Sequence, residues 1–432
     1  MKTFASLPED FLHFVWRTRQ YEPLTLHSVD GRRIEVRKPG IWNHDQGPDF
    51  LHARVLMGGV VWEGAVEIHV RSRDWYAHKH HLDDGYNGVV LHVVLTSDRR
   101  QVLREDGTSI PEVILEDYLK PAVIRRYLQL RQTIESVPCK GLLSTISEME
   151  KRHWLERVAV ERMEERSLRW ENRLEETAGD WAQICWEAVM RKMGGTVNGQ
   201  SFEELAQAVP YRIVRQYLDQ PEVAEALLLG GLGLLGGQPQ DEYHQRQQSH
   251  WQYYRAKHRL ERIGPYLIKF ARMRPANFPT IRISQSVALA CQYPNLVDLL
   301  WQADRLLNDE AMIQARSYWQ AHTRFGVPCK GNPRNLGQTQ RESLTLNALV
   351  PLSFLYHRRH GTFFPDHFER YLSPLGPENN RISRLMISLG FPNDNAFFSQ
   401  GLIRLYHHYC TQKRCLQCQI GQKLLVSSNR TS

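Results

Sequence analysis

The chain has 432 residues, 42% of them hydrophobic and 24% charged, with a formal net charge of +8. Those proportions exclude a disordered or strongly acidic chain, and the length points to two or three domains, each with a core of its own. The moderately basic balance is compatible with a polyanionic partner, provided the charge clusters on one surface. No apolar run approaches the roughly 18 residues of a membrane span, and Pro8, Glu9 and Asp10 interrupt the start before any signal-like stretch. Seven cysteines, three of them crowded near the C-terminus, argue against a secreted disulfide scaffold; a reducing, cytoplasmic location with no membrane partner is expected.

Ser6 and Pro8 open a predicted helix whose apolar face is Phe11, Leu12, Val15 and Trp16. Two strand-like runs flank Asp30-Gly31, a hairpin signal. A second hairpin is expected from DFLHARVLM, the Gly58-Gly59 pair and VVWEGAVEIHVR. GVVLHVVL, Gly88 to Leu95, is apolar on both faces and reads as a central strand, and PEVILEDYL from Pro111 closes the sheet. From Pro121 the periodicity becomes helical with charged outer faces, punctuated by Pro and Gly, and stays so to about residue 405. The expected architecture is α+β: a mixed-sheet domain over 1–120, a large all-α region over 121–405 that could hold two subdomains, and a Cys-rich tail over 406–432. LLLGGLGLLGG, Leu227 to Gly237, has no following Lys-Ser/Thr and no preceding strand, so it reads as close helix packing rather than a phosphate loop.

Alternate residues of a strand share a face, so Glu67, His69 and Arg71 point one way while Val66, Ile68 and Val70 supply the core face. If Gly58-Gly59 makes a hairpin, Asp49 arrives beside Glu67 or His69. Two carboxylates that close repel each other unless one is protonated or a cation lies between them. Mg²⁺ or Mn²⁺ at Asp49 and Glu67 is therefore expected, where it could activate water and neutralise phosphate charge. Glu35 is a further candidate acid. A solvated polar strand face is the competing reading.

Pro48-Asp49, a β-hairpin and then Glu67-Ile68-His69 resemble the PD-(D/E)XK nuclease core over roughly residues 5 to 115. The resemblance implies a restriction-endonuclease-like fold in which Asp49 and Glu67 hold the metal. His69 stands where that motif has Lys, which puts catalysis in doubt: a neutral imidazole would be a metal ligand or a proton carrier, and Arg71 could supply the missing positive charge. More widely, GPDFLHARV…WEGAVEIHVRSRDWYAHKHHLDDGYNGVVLHVVL, RPANFPTIRISQ and CLQCQIG resemble an uncharacterised bacterial family known as a domain of unknown function; that resemblance implies no activity.

Asp74 to Tyr86, DWYAHKHHLDDGY, holds His78, His80, His81, Asp83 and Asp84, which could bind Zn²⁺ or Mn²⁺, line a phosphate path, or form a polar loop. His92 interrupts an apolar strand, so a buried hydrogen-bond partner is expected for it. Cys410, Cys415 and Cys418 form a C-x4-C-x2-C run suited to Zn²⁺ or an iron–sulfur cluster, with His407, His408, Cys139 or Cys329 as the fourth ligand. VPCKG occurs at both Val137–Gly141 and Val327–Gly331, too short a match to mark a repeat. Lys413 and Arg414, with Arg272 and Arg274 in the Pro-rich ARMRPANFPTIRISQS, are candidate nucleic-acid contacts, although arginines there could instead cap helices. The expected function is a metal-dependent nuclease-like protein hydrolysing or binding DNA or RNA. The alternatives are an inactive nuclease-like interaction platform and a His-cluster metal hydrolase.

Overall fold

The computed structural model describes residues 7–98, 101–264, 268–271, 273–302, 305–309, 312–331, 333–362 and 371–426. The first helix, α1 (Glu9–Thr18), follows Pro8, carries Glu9 and Asp10 in its first turn, and ends at Arg19 in the left-handed conformation. Its buried residues are Phe11, Leu12, Phe14, Val15 and Trp16. Then come β1 (Thr25–His27), β2 (Arg33–Lys38), β3 (Ile41–Trp42), β4 (Phe50–Met57), β5 (Val60–Arg71), the short helix α2 (Asp74–Ala77), β6 (Val89–Thr96) and β7 (Glu112–Ile114). The sheet runs β1-β2-β4-β5-β6-β7, with β3 paired to β4. Pairing is antiparallel as far as β5 and parallel from β5 through β6 to β7. Gly58 and Gly59 turn β4 into β5 with φ of 57° and 84°, values that favour glycine.

Val66, Ile68, Leu91, Val93, Leu95 and Val113 join the buried face of α1 and of α3 (Pro121–Gln132) in one core. The opposite face is covered by the β5–β6 crossover, where Trp75 is fully buried with Ala65, Val89, Val102 and Ile110. Residues 121–154 and 405–432 cluster with the sheet, so the first unit is Met1–Trp154 plus Leu405–Ser432 and the second is Leu155–Arg404. The boundaries thus fall at 154 and 405, where the sequence suggested 120 and 405.

The second unit is helical, with a short antiparallel strand pair at His322–Arg324 and Val327–Pro328 among its described residues. Its core gathers Trp186, Phe202, Leu228, Trp251, Ile283, Leu289 and Trp319. The glycine-rich segment is a packing device: a Cβ on Gly230 would lie 2.1 Å from the Trp251 ring, and one on Gly231 would lie 2.6 Å from Leu205. No helix among the described residues is long and apolar enough to cross a membrane.

Candidate metal centre

The centre begins with a register. Glu67 pairs with His92 and His92 pairs with Glu112 across three parallel strands, so one face of β5-β6-β7 carries a polar row. Asp49, just before β4, closes a reciprocal bond with β5: its N–H donates to Glu67 Oε2 at 3.0 Å, and Ile68 N–H donates to Asp49 Oδ2 at 2.9 Å. The hairpin thus brings the two carboxylates together. Asp49 Oδ2 also meets His13 Nε2 of α1 at 3.1 Å. Burial and then the Asp49 charge push the Glu67 carboxyl up to about 8.

The crossover supplies the rest. His78 ends α2, Lys79 takes a left-handed turn at φ 65°, and His80 opens the next turn. That reversal directs both imidazoles at β5. His69 Nε2 lies 3.1 Å from His78 Nδ1 and 3.6 Å from Glu67 Oε1, and His80 Nε2 lies 3.3 Å from Glu67 Oε1. Ring nitrogens of His69, His78 and His80 all fall within 4.8 Å of one another. An ion with bonds of about 2.1 Å has tetrahedral ligand–ligand edges of about 3.4 Å; the hydrogen-bonded His69–His78 pair at 3.1 Å and the Glu67 contacts at 3.3 and 3.6 Å lie near that value. His80 is stacked on Tyr86 at 3.8 Å between ring centroids and edged by Trp75, and its buried Nε2 meets Glu67 Oε1 outside hydrogen-bond geometry.

Behind this shell lies a relay. His69 Nδ1 faces His92 Nε2 at 2.9 Å, His92 Nδ1 faces Glu112 Oε2 at 3.0 Å, and Ser72 Oγ donates to Glu112 Oε1 at 2.7 Å. Burial opposes ionisation of Glu112, but the bonds from His92 and Ser72 outweigh it and hold the carboxyl below its ordinary range. An ionised Glu112 needs a proton on His92 Nδ1. His92 Nε2 is then an acceptor, His69 must carry its proton on Nδ1, and His69 Nε2 presents a lone pair to the centre. Burial, then His92, His80 and His78, push His69 down to about 2, so it stays neutral, as a ligand must. His92 therefore has the buried partner expected of it.

The remaining candidates are placed as follows. Arg71 is exposed and its N–H donates to Asp74 Oδ2; no contact joins its guanidinium to Glu67 or His69 among the described residues. Glu35 pairs with Arg37 at 3.2 Å. Lys413 Nζ donates to the carbonyls of Arg131 and Thr133, each at 2.8 Å, and Arg414 faces His408 Nε2. Arg272 lies outside the described residues. Arg274 lines a cavity of about 550 Å³ in the second unit with Lys192, Asn277 and Arg282. No carboxylate lines that cavity among the described residues, and Arg282 is held by two neutral oxygens, Gln285 Oε1 at 2.9 Å and Asn277 Oδ1 at 2.6 Å.

A family model described as a protein of unknown function, DUF2851, matches residues 9–381. The chain belongs to the DUF2851 family. The match takes in every residue of the carboxylate–histidine centre and ends before Cys410. No curated protein and no solved structure matches the chain. Glu112, Ser72 and His13 of this centre have no place among the candidates read from the sequence. Glu112 carried a usable signal, an acid opening an apolar strand beside the strand of His92. His13 carried none, lying among the core residues of α1.

Proposed function

We propose that this DUF2851 protein is a divalent-metal-dependent phosphodiesterase of nuclease type. The observation that carries the reading is the set of His69, His78 and His80, whose ring nitrogens lie within 4.8 Å of one another, with Glu67 Oε1 at 3.6 Å from His69 Nε2 and 3.3 Å from His80 Nε2. Three imidazoles and one carboxylate suit Zn²⁺ or Mn²⁺ better than Mg²⁺, which prefers oxygen and retains water. Such an ion lowers the pKa of a water and neutralises charge on a phosphate. Asp49 acts on the shell indirectly, holding the Glu67 segment and anchoring His13. Although burial opposes it, Asp49 keeps the His13 imidazolium above its ordinary pKa, which suits it to protonate a leaving oxygen. The exposed side chain of His78 and the partly exposed Asp49 mark the side open to substrate.

Nucleic acid as the substrate class is supported by the net charge of +8 and by the cavity of the second unit lined by Lys192, Arg274 and Arg282. It is also supported by the strand plan, an Asp entering an antiparallel strand followed by a Glu-x-His strand with a parallel neighbour, which matches the nuclease resemblance of Asp49, Glu67 and His69. The test is cleavage of plasmid and single-stranded DNA and of RNA by the full chain with Mn²⁺ or Zn²⁺. Cutting that is lost in both Glu67→Gln and His80→Ala, with the fold retained, supports the reading. Cutting unchanged in both variants refutes it. The deep burial of Glu67 and His69 favours a second reading, a non-catalytic scaffold braced by the same ion; nucleic-acid binding without cutting, in a protein that contains the metal, selects it.

A further inference from the structure

We infer that Cys139 joins Cys410, Cys415 and Cys418 in a four-thiolate metal centre, a zinc ion or an iron–sulfur cluster, within the first unit. It is separate from the carboxylate–histidine centre and does not depend on the proposed activity. The sequence places three sulfurs in nine residues and leaves the fourth open among His407, His408, Cys139 and Cys329. Cys329 belongs to the second unit. Of the candidates left in the first unit, His408 Nε2 is taken by Arg414, and Cys139 is the one that offers a thiol.

The three-cysteine loop is built to a fixed shape. The helical turn Leu405–Cys410 ends at the first cysteine, Lys413 reverses the chain at φ 53°, and Cys418 N–H donates to Arg414 O at 3.1 Å just before the helix Gln419–Val426. A Cβ on Gly421 would lie 2.3 Å from Cys415 O, so that helix rests directly on the loop. The loop is then pinned to the segment that carries Cys139. Lys413 Nζ is tied to the carbonyls of Arg131 and Thr133, Arg126 reaches Leu425 O at 3.4 Å, and Lys423 pairs with Glu150. Cys139 lies between those anchors, where its carbonyl accepts Leu142 N–H at 2.8 Å.

All four cysteines are free, and Cys410 and Cys418 are buried. Each thiol feels the others: Cys139 is raised by Cys418 and Cys415, Cys410 by Cys418, Cys139 and Cys415, and Cys415 by Cys418. Cys139 and Cys415 also pack against one apolar core together with Leu416 and Leu425, which brings the two segments side by side. Four converging thiols in an apolar setting are inert as thiols, with burial first pushing Cys139 and Cys415 up to about 12. A soft cation reverses that penalty by binding them as thiolates. Among the described residues only the histidine set brings three ligand atoms mutually within 4.8 Å. The sulfurs do not form such a set, so binding requires them to close in around the metal.

The test is iron, acid-labile sulfide and zinc analysis of the full chain purified without air, with X-ray absorption at the zinc and iron edges. In both the wild type and the His80→Ala background, Cys139→Ser and Cys418→Ser are each expected to lose one centre, while Cys185→Ser keeps it. Iron with matching sulfide identifies a cluster, and zinc with an all-sulfur shell identifies a single ion; both support the inference. Should the serine variants misfold, the all-sulfur shell in the wild type decides. Wild-type protein with neither metal on sulfur, or Cys139→Ser with full metal content, overturns it.

Discussion

At the scale of single residues, the centre depends on which nitrogen of His69 carries its proton. Glu112 sets that choice through His92. Glu112→Gln replaces an obligate acceptor with an amide that can donate to His92 Nδ1. The relay then reverses, and His69 Nε2 acquires the proton that blocks coordination. Metal affinity should fall about 10- to 100-fold, the range seen for outer-shell partners, with the fold retained; calorimetric Mn²⁺ or Zn²⁺ titration checks this, and unchanged affinity would remove the relay from the account. Glu112 also links stability to pH. Its folded pKa is depressed, so its contribution is fully present above the ordinary value of 4.5 and is lost as pH falls through the lower folded value. Acid melts of the wild type should show that component, and melts of Glu112→Gln should lack it.

At the scale of elements, the β5–β6 crossover is the device that turns a strand pair into a site. The sequence made the two hairpins, the central strand and the pairing of Asp49 with Glu67 legible, because alternation and Gly-Gly turns are local signals. It left the aim of His78 and His80 open, because that depends on one left-handed residue, Lys79, and on the ring wall of Trp75 and Tyr86. Lys79→Gly should be neutral or stabilising, since glycine accepts a φ of 65°. Lys79→Val should cost about 1–2 kcal/mol and weaken metal binding as the two histidines lose their aim. Thermal melts with and without metal separate the two effects. Arg71 shows the limit of alternation: it shares the strand parity of Glu67 and His69 but lies at the exposed end of β5, beyond the cover of the crossover.

At the scale of the whole molecule, helical periodicity announced the second unit. What it could not give was the return of the C-terminal tail to the first unit, since contacts so distant in sequence leave no local pattern. Gly230 tests the packing of the helical core, because its missing Cβ makes room for Trp251. Gly230→Ala should cost about 1–3 kcal/mol or more, read by denaturant melts. The cationic cavity belongs to the same unit. Lys192→Gln and Arg274→Gln should each weaken nucleic-acid binding across sequences and flatten its salt dependence by roughly one counterion; salt-dependent binding isotherms report that slope, and isotherms unchanged in both variants would remove the cavity from the nucleic-acid reading.

Glu67, His69, His78 and His80 are proposed to share one ion. Anomalous diffraction from crystals of the full chain grown with Mn²⁺ or Zn²⁺ tests it most directly. A single strong peak is expected within about 2.0–2.2 Å of Glu67 Oε1, His69 Nε2, His78 Nδ1 and His80 Nε2. Crystals soaked to saturation that show no peak there, with His78 Nδ1 hydrogen-bonded directly to His69 Nε2, would contradict it.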